Sequence, residues 1–255
     1  MTATNLVPPD SVRVWRGFQL PALTLDQFCS KLGTVFVPAT VKMQIDIGLQ
    51  AYVPSIPAGL AGKPTTVPDE TALIFWESPE VYWNGFMTLA VRTYTLTHGG
   101  CYVTENNKSR ADFPVVFSGS LTFDQPVYLI EKPADWMSGS VRHFVCQRPA
   151  DLDPAAFLLT MASALTEIHK TAALEAAIAC AGEDYLVYWE LGSAAPGTPN
   201  QPTGMSILQN LLVSWQHSFG PAPTYVPIGL WDQWAGMDVV SGNSFNMQFS
   251  RRPKP

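Results

Sequence analysis

The strongest constraint on what this chain can fold into is a pair of short segments that recur in its two halves. Leu73-Ile74-Phe75-Trp76-Glu77 returns as Leu186-Val187-Tyr188-Trp189-Glu190, an apolar, apolar, aromatic, Trp, Glu run in both places. Val12-Arg13 and Val141-Arg142 each open a β-forming run that contains aromatics and precedes a capped helix. Two copies of one strand–helix–strand unit account for both coincidences. Such units pair because each buries the sheet face that the other leaves bare.

The order of elements supports the repeat. Val12–Phe18 reads as a strand, and Thr24-Leu25-Asp26-Gln27 as a capping box that opens a helix with apolar Phe28, Leu32, Val35 and Phe36 at helical spacing. Pro38 is expected to end or kink it. Leu49–Val53 and Thr71–Glu77 read as strands. Ser78-Pro79-Glu80 starts a helix that runs toward His98 and stops at Gly99-Gly100. Thr104–Asp112 reads as a loop, and Pro114–Phe123 and Val127–Glu131 as strands. In the second half Val141 opens a strand and Asp153-Pro154 caps a long helix over Ala155–Ala181. Tyr185–Glu190 is a strand, Met205–Phe219 an amphipathic helix and Ser244–Arg251 a last strand. The second half shows no counterpart of Leu49–Val53. The chain therefore reads as α+β, two β-α-β-β-α-β units over residues 1–135 and 136–255 packed as one lobe.

Composition narrows the function. Only 14% of the 255 residues are charged, and the net charge is −6. The one basic cluster is Arg251, Arg252 and Lys254, which excludes the basic face that a nucleic-acid backbone requires. With 47% hydrophobic residues there is little polar surface to spare, so a homo-oligomer or an internal apolar cavity is expected. Cys29, Cys101, Cys146 and Cys180 are widely spaced and read as reduced thiols. The N-terminal stretch has no signal-peptide pattern, and the uncharged stretch Leu191–Trp231 is broken by prolines. A cytoplasmic protein without a membrane span is expected.

The order of elements resembles the dimeric α+β barrel superfamily in a tandem, fused form. That group includes antibiotic-biosynthesis monooxygenases, small polyketide cyclases, stress-responsive barrel proteins and haem proteins of the chlorite dismutase kind. The resemblance implies a cofactor-independent enzyme that oxygenates or cyclises a small apolar or aromatic ligand in a barrel cavity. It also admits haem, for which the helical His169 and His217 are the candidate ligands. A non-catalytic binding or assembly protein is the competing reading.

No phosphate-binding loop, dinucleotide fingerprint or G-x-S-x-G elbow occurs, and the four histidines show no metal-ligand spacing. What remains is polar groups on strand faces. Val12, Val14, Arg16 and Phe18 share one face of the first strand, and Arg13, Trp15 and Gly17 the other. His143 lies between valines on its strand, while Glu77 and Glu190 are expected at equivalent strand ends where paired carboxylates do acid–base work. His143, Glu190 and Tyr188 are the candidate catalytic groups. Tyr52 (sharing a face with Gln50), Glu77, Trp76, Asn246 and Gln248 are the candidate substrate-binding groups. On this reading His143→Ala abolishes turnover and spares the melting temperature.

Overall fold

The computed structural model of the chain describes residues 6–44, 47–57, 65–134, 136, 140–171, 174–192, 204, 208, 225–227 and 244–245. Asn246, Gln248, His217 and most of the expected helix Met205–Phe219 lie outside them.

The chain is α+β with two sheets. The first sheet holds β1 (Val12–Gly17), β2 (Leu49–Pro57), β3 (Glu70–Trp76), β4 (Arg110–Asp112) and β10 (Tyr225–Pro227), in the antiparallel order β10-β2-β3-β1-β4. The second holds β5 (Val115–Val116), β6 (Val127–Tyr128), β7 (Ser140–Gln147), β8 (Leu174–Ala181), β9 (Tyr185–Gly192) and β11 (Ser244–Phe245), in the order β11-β7-β9-β8-β6-β5. The run β4-β1-β3-β2 and the run β11-β7-β9-β8 place strands in the order fourth, first, third, second, as a ferredoxin-like unit does. Segments cross between the sheets: β10 extends the first, while β5 and β6 extend the second.

The helices are α1 (Leu25–Lys31), α2 (Val37–Gln44), α3 (Pro79–Phe86), α4 (Leu89–Leu96) and α5 (Pro154–Thr171). Thr24 caps α1 as a capping box, with its hydroxyl accepting from Gln27 N–H. A π-helical turn over Leu32–Phe36 joins α1 to α2, so Pro38 falls in the first turn of α2 rather than ending a helix. The helix expected from Ser78 to His98 breaks at Met87-Thr88. There the Thr88 side chain restarts it as α4 by accepting from Val91 N–H.

Three further differences separate the structure from the sequence expectations. The long helix Ala155–Ala181 is α5 followed by β8, and β8 is the missing counterpart of β2. Its alanines face both ways: Ala176, Ile178 and Cys180 toward the first sheet, Ala177, Ala179 and Ala181 toward α5. A short apolar run buried on both faces carries no period, and alanine's helical propensity misleads when tertiary packing decides. Arg110–Asp112, expected as loop, is β4, because its edge pairs with β1. Of Pro114–Phe123 only Val115–Val116 is strand.

Packing is layered. Val12, Val14, Phe18, Leu73, Phe75, Val187, Trp189 and Leu191 fill the space between the sheets with side chains. Trp15, Phe28, Leu32, Phe36, Tyr52, Ile74, Trp76, Tyr94 and Tyr102 form a second core between the first sheet and its helices. Phe157, Met161, Leu165, Ala179, Leu186 and Tyr188 form a third under α5. Among the described residues no helix is long and apolar enough to cross a membrane. All four cysteines are free thiols, three of them buried.

Candidate functional site

Alternation along β1 works as its sequence pattern predicts. Val12, Val14 and Phe18 point between the sheets with Arg16, and Arg13 and Trp15 face the helices. On that helix face the first sheet, α2, α3, α4 and the loop after α4 line a partly open cavity of about 430 Å³. Its size falls in the range of pockets for small organic ligands. Aromatic side chains of Trp15, Phe36, Tyr52, Trp76, Tyr82 and Tyr94 line one part of it, and Arg13, Thr40, His98 and other polar residues supply polarity.

Behind this wall lies Glu70, the first residue of β3, with no solvent exposure. Tyr52 Oη donates to Glu70 Oε1 at 2.5 Å, Trp15 Nε1 donates to Oε2 at 2.8 Å, and Tyr102 Oη donates to Oε2 as well. Burial pushes the Glu70 carboxyl up to about 7, while the three donors pull the other way by holding the ionised form. The same burial raises the Tyr52 and Tyr102 phenols well above their ordinary range. The cage is tight. A Cβ on Gly17 would sit 2.6 Å from Tyr102 Cε1 and 2.7 Å from Trp15 Nε1, so only glycine fits beside it.

His98 lies on the cavity wall among the rings of Phe36, Tyr94 and Trp15, with centroids at 4.9, 5.0 and 5.3 Å. Its Nδ1–H donates to the Thr95 carbonyl at 3.0 Å, which leaves Nε2 as the basic nitrogen. Burial holds its pKa down near 4, so the imidazole is neutral at physiological pH. Thr40 Oγ1 lies 2.7 Å from Tyr94 Oη and donates back to the Phe36 carbonyl.

The described sequence-derived candidates divide between four places. Tyr52 and Trp76 come together on the cavity wall. Tyr52 does so because a bulge between Leu49 and Ala51 turns both Leu49 and Tyr52 toward the helices. Gln50, expected to share the Tyr52 face, instead reaches Glu77 Oε1 at 3.2 Å. Glu77 itself is exposed just beyond β3.

His143 lies between the sheets, 3.1 Å from Thr71 Oγ1 and stacked on Trp189 at 4.7 Å. Tyr188 and Glu190 face α5, where Tyr188 Oη donates to Glu190 Oε2 at 2.9 Å. A Cβ on Gly204 would collide with that phenol oxygen. Glu190 is thus fully buried inside β9, not at a strand end equivalent to Glu77. His169 Nδ1 lies 2.7 Å from the Leu129 carbonyl. Among the described residues no group of three His, Cys, Asp or Glu side chains could hold a metal ion.

These contacts make a stability prediction for His143. Its pKa is lowered to about 3 by burial. The neutral ring's contribution is complete above about pH 6.5 and is lost as pH falls through the native value. His143→Ala also leaves the buried Thr71 hydroxyl without its bond. The expected loss is about 1–3 kcal/mol at neutral pH, read as a lower urea midpoint. An unchanged midpoint would return His143 to the list of purely chemical residues.

Glu70 and His98, the two groups with the most useful proton chemistry at the cavity, carry no sequence signal. Glu70 follows a loop and opens a strand, and its partners come from 18, 32 and 55 residues away. Only its acidic side chain at the start of a largely apolar strand could have drawn attention to it.

No protein-family description matches this chain, and no curated protein matches it. Solved structures that align with it include an anthrone oxidase-like protein at 10% identity and TM-score 0.40, covering 95% of this chain and 97% of that one. A protein from Fusobacterium nucleatum subsp. nucleatum, provisionally described as a monooxygenase, aligns at 6% identity and TM-score 0.37 over 97% of this chain and 100% of its own. Another with the same provisional description, from Lactobacillus acidophilus, aligns at 9% identity and TM-score 0.36, covering 90% and 98%. At such identities and TM-scores none of them lends this chain its chemistry.

Proposed function

We propose that this chain is a cofactor-independent enzyme that takes a flat aromatic or polyketide-like molecule into the cavity beside Tyr52 and starts its oxygenation or cyclisation by removing a proton. The observation that carries this reading is a wall tyrosine bonded at 2.5 Å to a buried carboxyl whose pKa sits near 7. A general base works best when its pKa lies close to the working pH. The substrate C–H or O–H proton passes to Tyr52 Oη as the Tyr52 proton moves to Glu70 Oε1. The carbanion or enolate left behind either attacks a carbonyl within the same molecule or reduces dioxygen. In the second case a CH₂ becomes C=O, one oxygen atom of O₂ enters the product and the other leaves as water.

The fold reading that goes with it is two fused ferredoxin-like units, over residues 1–135 and 136–255. The repeated strand order and the appearance of β8 where the second unit lacked a strand support it. The aromatic cavity belongs to the first unit.

The test is oxygen consumption and product formation with a panel of anthrones, dihydroxynaphthalenes and linear polyketide mimics, run with a metal chelator present. Expected is turnover of at least one panel class that the chelator does not touch. Oxygenation then consumes one O₂ per substrate, and cyclisation proceeds without oxygen. No conversion of any class above the rate in buffer would overturn the proposal.

A further inference from the structure

Among the described residues, two that line the cavity carry a buried side-chain N–H with no acceptor: Arg13 at Nε and Trp76 at Nε1. Their neighbours on the wall are satisfied, since Trp15 and Tyr52 bond Glu70, and Thr40 bonds Phe36 and Tyr94. Buried donors in folded proteins nearly always find a partner, in the protein, in ordered water or in a ligand.

The two donors are near one another. Arg13 stands opposite Ile74 in the β1–β3 ladder, so Trp76 is its diagonal neighbour on the same face, about 7–8 Å away between backbones. Both pack on Tyr82. The Arg13 guanidinium lies 3.9 Å above that ring, and the Trp76 ring centroid is 5.0 Å from it.

Charge points the same way. Arg13 donates through Nη2 to the Ala111 carbonyl at 2.5 Å and lies over the Tyr82 and Phe113 rings, but among the described residues no carboxylate pairs with it. Asp112, the nearest acid along β4, is engaged by Arg16 and Arg110. Glu70 is closed in by its own three donors. A desolvated guanidinium with a free Nε–H, set in an aromatic box, is built for an oxyanion that arrives with the ligand.

We infer that the cavity selects flat aromatic ligands carrying an anionic oxygen pair, a carboxylate or an ionised phenol beside a carbonyl, and seats those oxygens at Arg13 Nε and Trp76 Nε1. This rests on the proposed function only in sharing its cavity, and it deepens that reading by naming the substrate class. The same corner would hold the enolate that proton removal creates.

The experiment uses two probes of nearly the same shape, 1-naphthoate and 1-naphthalenemethanol, titrated into the full chain by isothermal calorimetry at pH 7.5. Expected is at least ten-fold tighter binding of the anion. Arg13→Met weakens naphthoate binding ten- to a hundred-fold and changes the alcohol by less than three-fold. Trp76→Phe, which keeps a ring and removes only the N–H, weakens naphthoate about five-fold and spares the alcohol. That variant carries the test if Arg13→Met does not fold. Equal affinity of the two probes, or a naphthoate affinity indifferent to both variants, overturns the inference and leaves the two donors to water. Discrimination between the probes with no turnover of any panel substrate would sink the catalytic reading while the ligand class stands. Turnover without discrimination would do the reverse.

Discussion

Glu70→Gln should cost between about a hundred- and ten-thousand-fold in turnover, the usual worth of a positioned general base. The amide can no longer accept the Tyr52 proton, yet it fills the same volume, so the cavity survives. Wild-type activity should rise with pH to a plateau above about 7, because only the ionised Glu70 accepts a proton. The variant's residual activity should lack that limb.

Stability moves in the opposite sense. The folded-state pKa of Glu70 is raised from 4.5 to about 7, so between those values the native protein binds more protons than the unfolded chain. Its contribution is full below about pH 4.5 and is lost as pH rises through 7, a change on the order of 3 kcal/mol. Urea midpoints of wild type minus variant, measured from pH 5 to 8, should therefore fall with pH. His98 and His143 contribute with the contrary sign, but they are common to both proteins and cancel in the difference. A flat difference, or a variant with wild-type turnover and pH profile, would remove Glu70 from the chemistry.

The second large effect is an asymmetry at the buried ion pair. Arg16 has no solvent exposure, whereas the Asp112 side chain is 26% exposed. Arg16 Nη2 donates to Asp112 Oδ2 at 2.8 Å and to the Asp124 carbonyl at 3.0 Å, and Nη1 donates to the Val14 carbonyl at 2.6 Å. Asp112 has a second partner in Arg110, whose Nε and Nη2 reach its two oxygens at 2.7 and 2.8 Å.

Asp112→Ala should destabilise by about 3–5 kcal/mol, because it strands a guanidinium that cannot shed its charge between the two sheets. Arg16→Met should cost less, about 1–2 kcal/mol. It puts an apolar chain into an apolar layer and leaves Asp112 held by Arg110 near solvent. Urea unfolding of the two variants checks the order. If Arg16→Met were the more damaging, Arg16 would be holding the strands together through its carbonyl bonds rather than demanding a counter-ion. The same Asp112→Ala substitution should also disturb the cavity, since Arg13 and β4 share that edge.

Much of the local structure was legible in the residues. The alternation of Val12, Val14, Arg16 and Phe18 against Arg13 and Trp15 assigned both faces of β1, because a strand's side-chain period admits only two solutions. The capping box of α1 and the cap-then-proline pairs Ser78-Pro79 and Asp153-Pro154 marked where α1, α3 and α5 begin, because a helix start must satisfy free N–H groups locally. Low charge left a homo-oligomer and an internal cavity as alternatives, and only the folded chain shows a cavity beside the first sheet.

What only the tertiary structure decided is which faces meet. The repeated run Leu73–Glu77 and Leu186–Glu190 looks like one motif used twice, yet Leu73 and Phe75 point between the sheets whereas Trp189 does so in the second copy. The two runs sit out of phase by one residue, and a slip of one exchanges the faces of a strand. That shift sends Trp76 to the cavity and Trp189 to the inter-sheet core. It leaves Glu77 in solvent and Glu190 buried under α5.

The inter-sheet space, where the ligand was expected, is filled by side chains, and the cavity opened instead between the first sheet and its helices. The β8 strand followed from an unpaired sheet edge and not from its alanines, which favour a helix in isolation. Glu70 gained its proton chemistry from burial, which outweighs the opposing hydrogen bonds of Tyr52, Tyr102 and Trp15, brought from three other segments. A pKa is set by the surroundings of a group in space, and those surroundings exist only once the chain has folded.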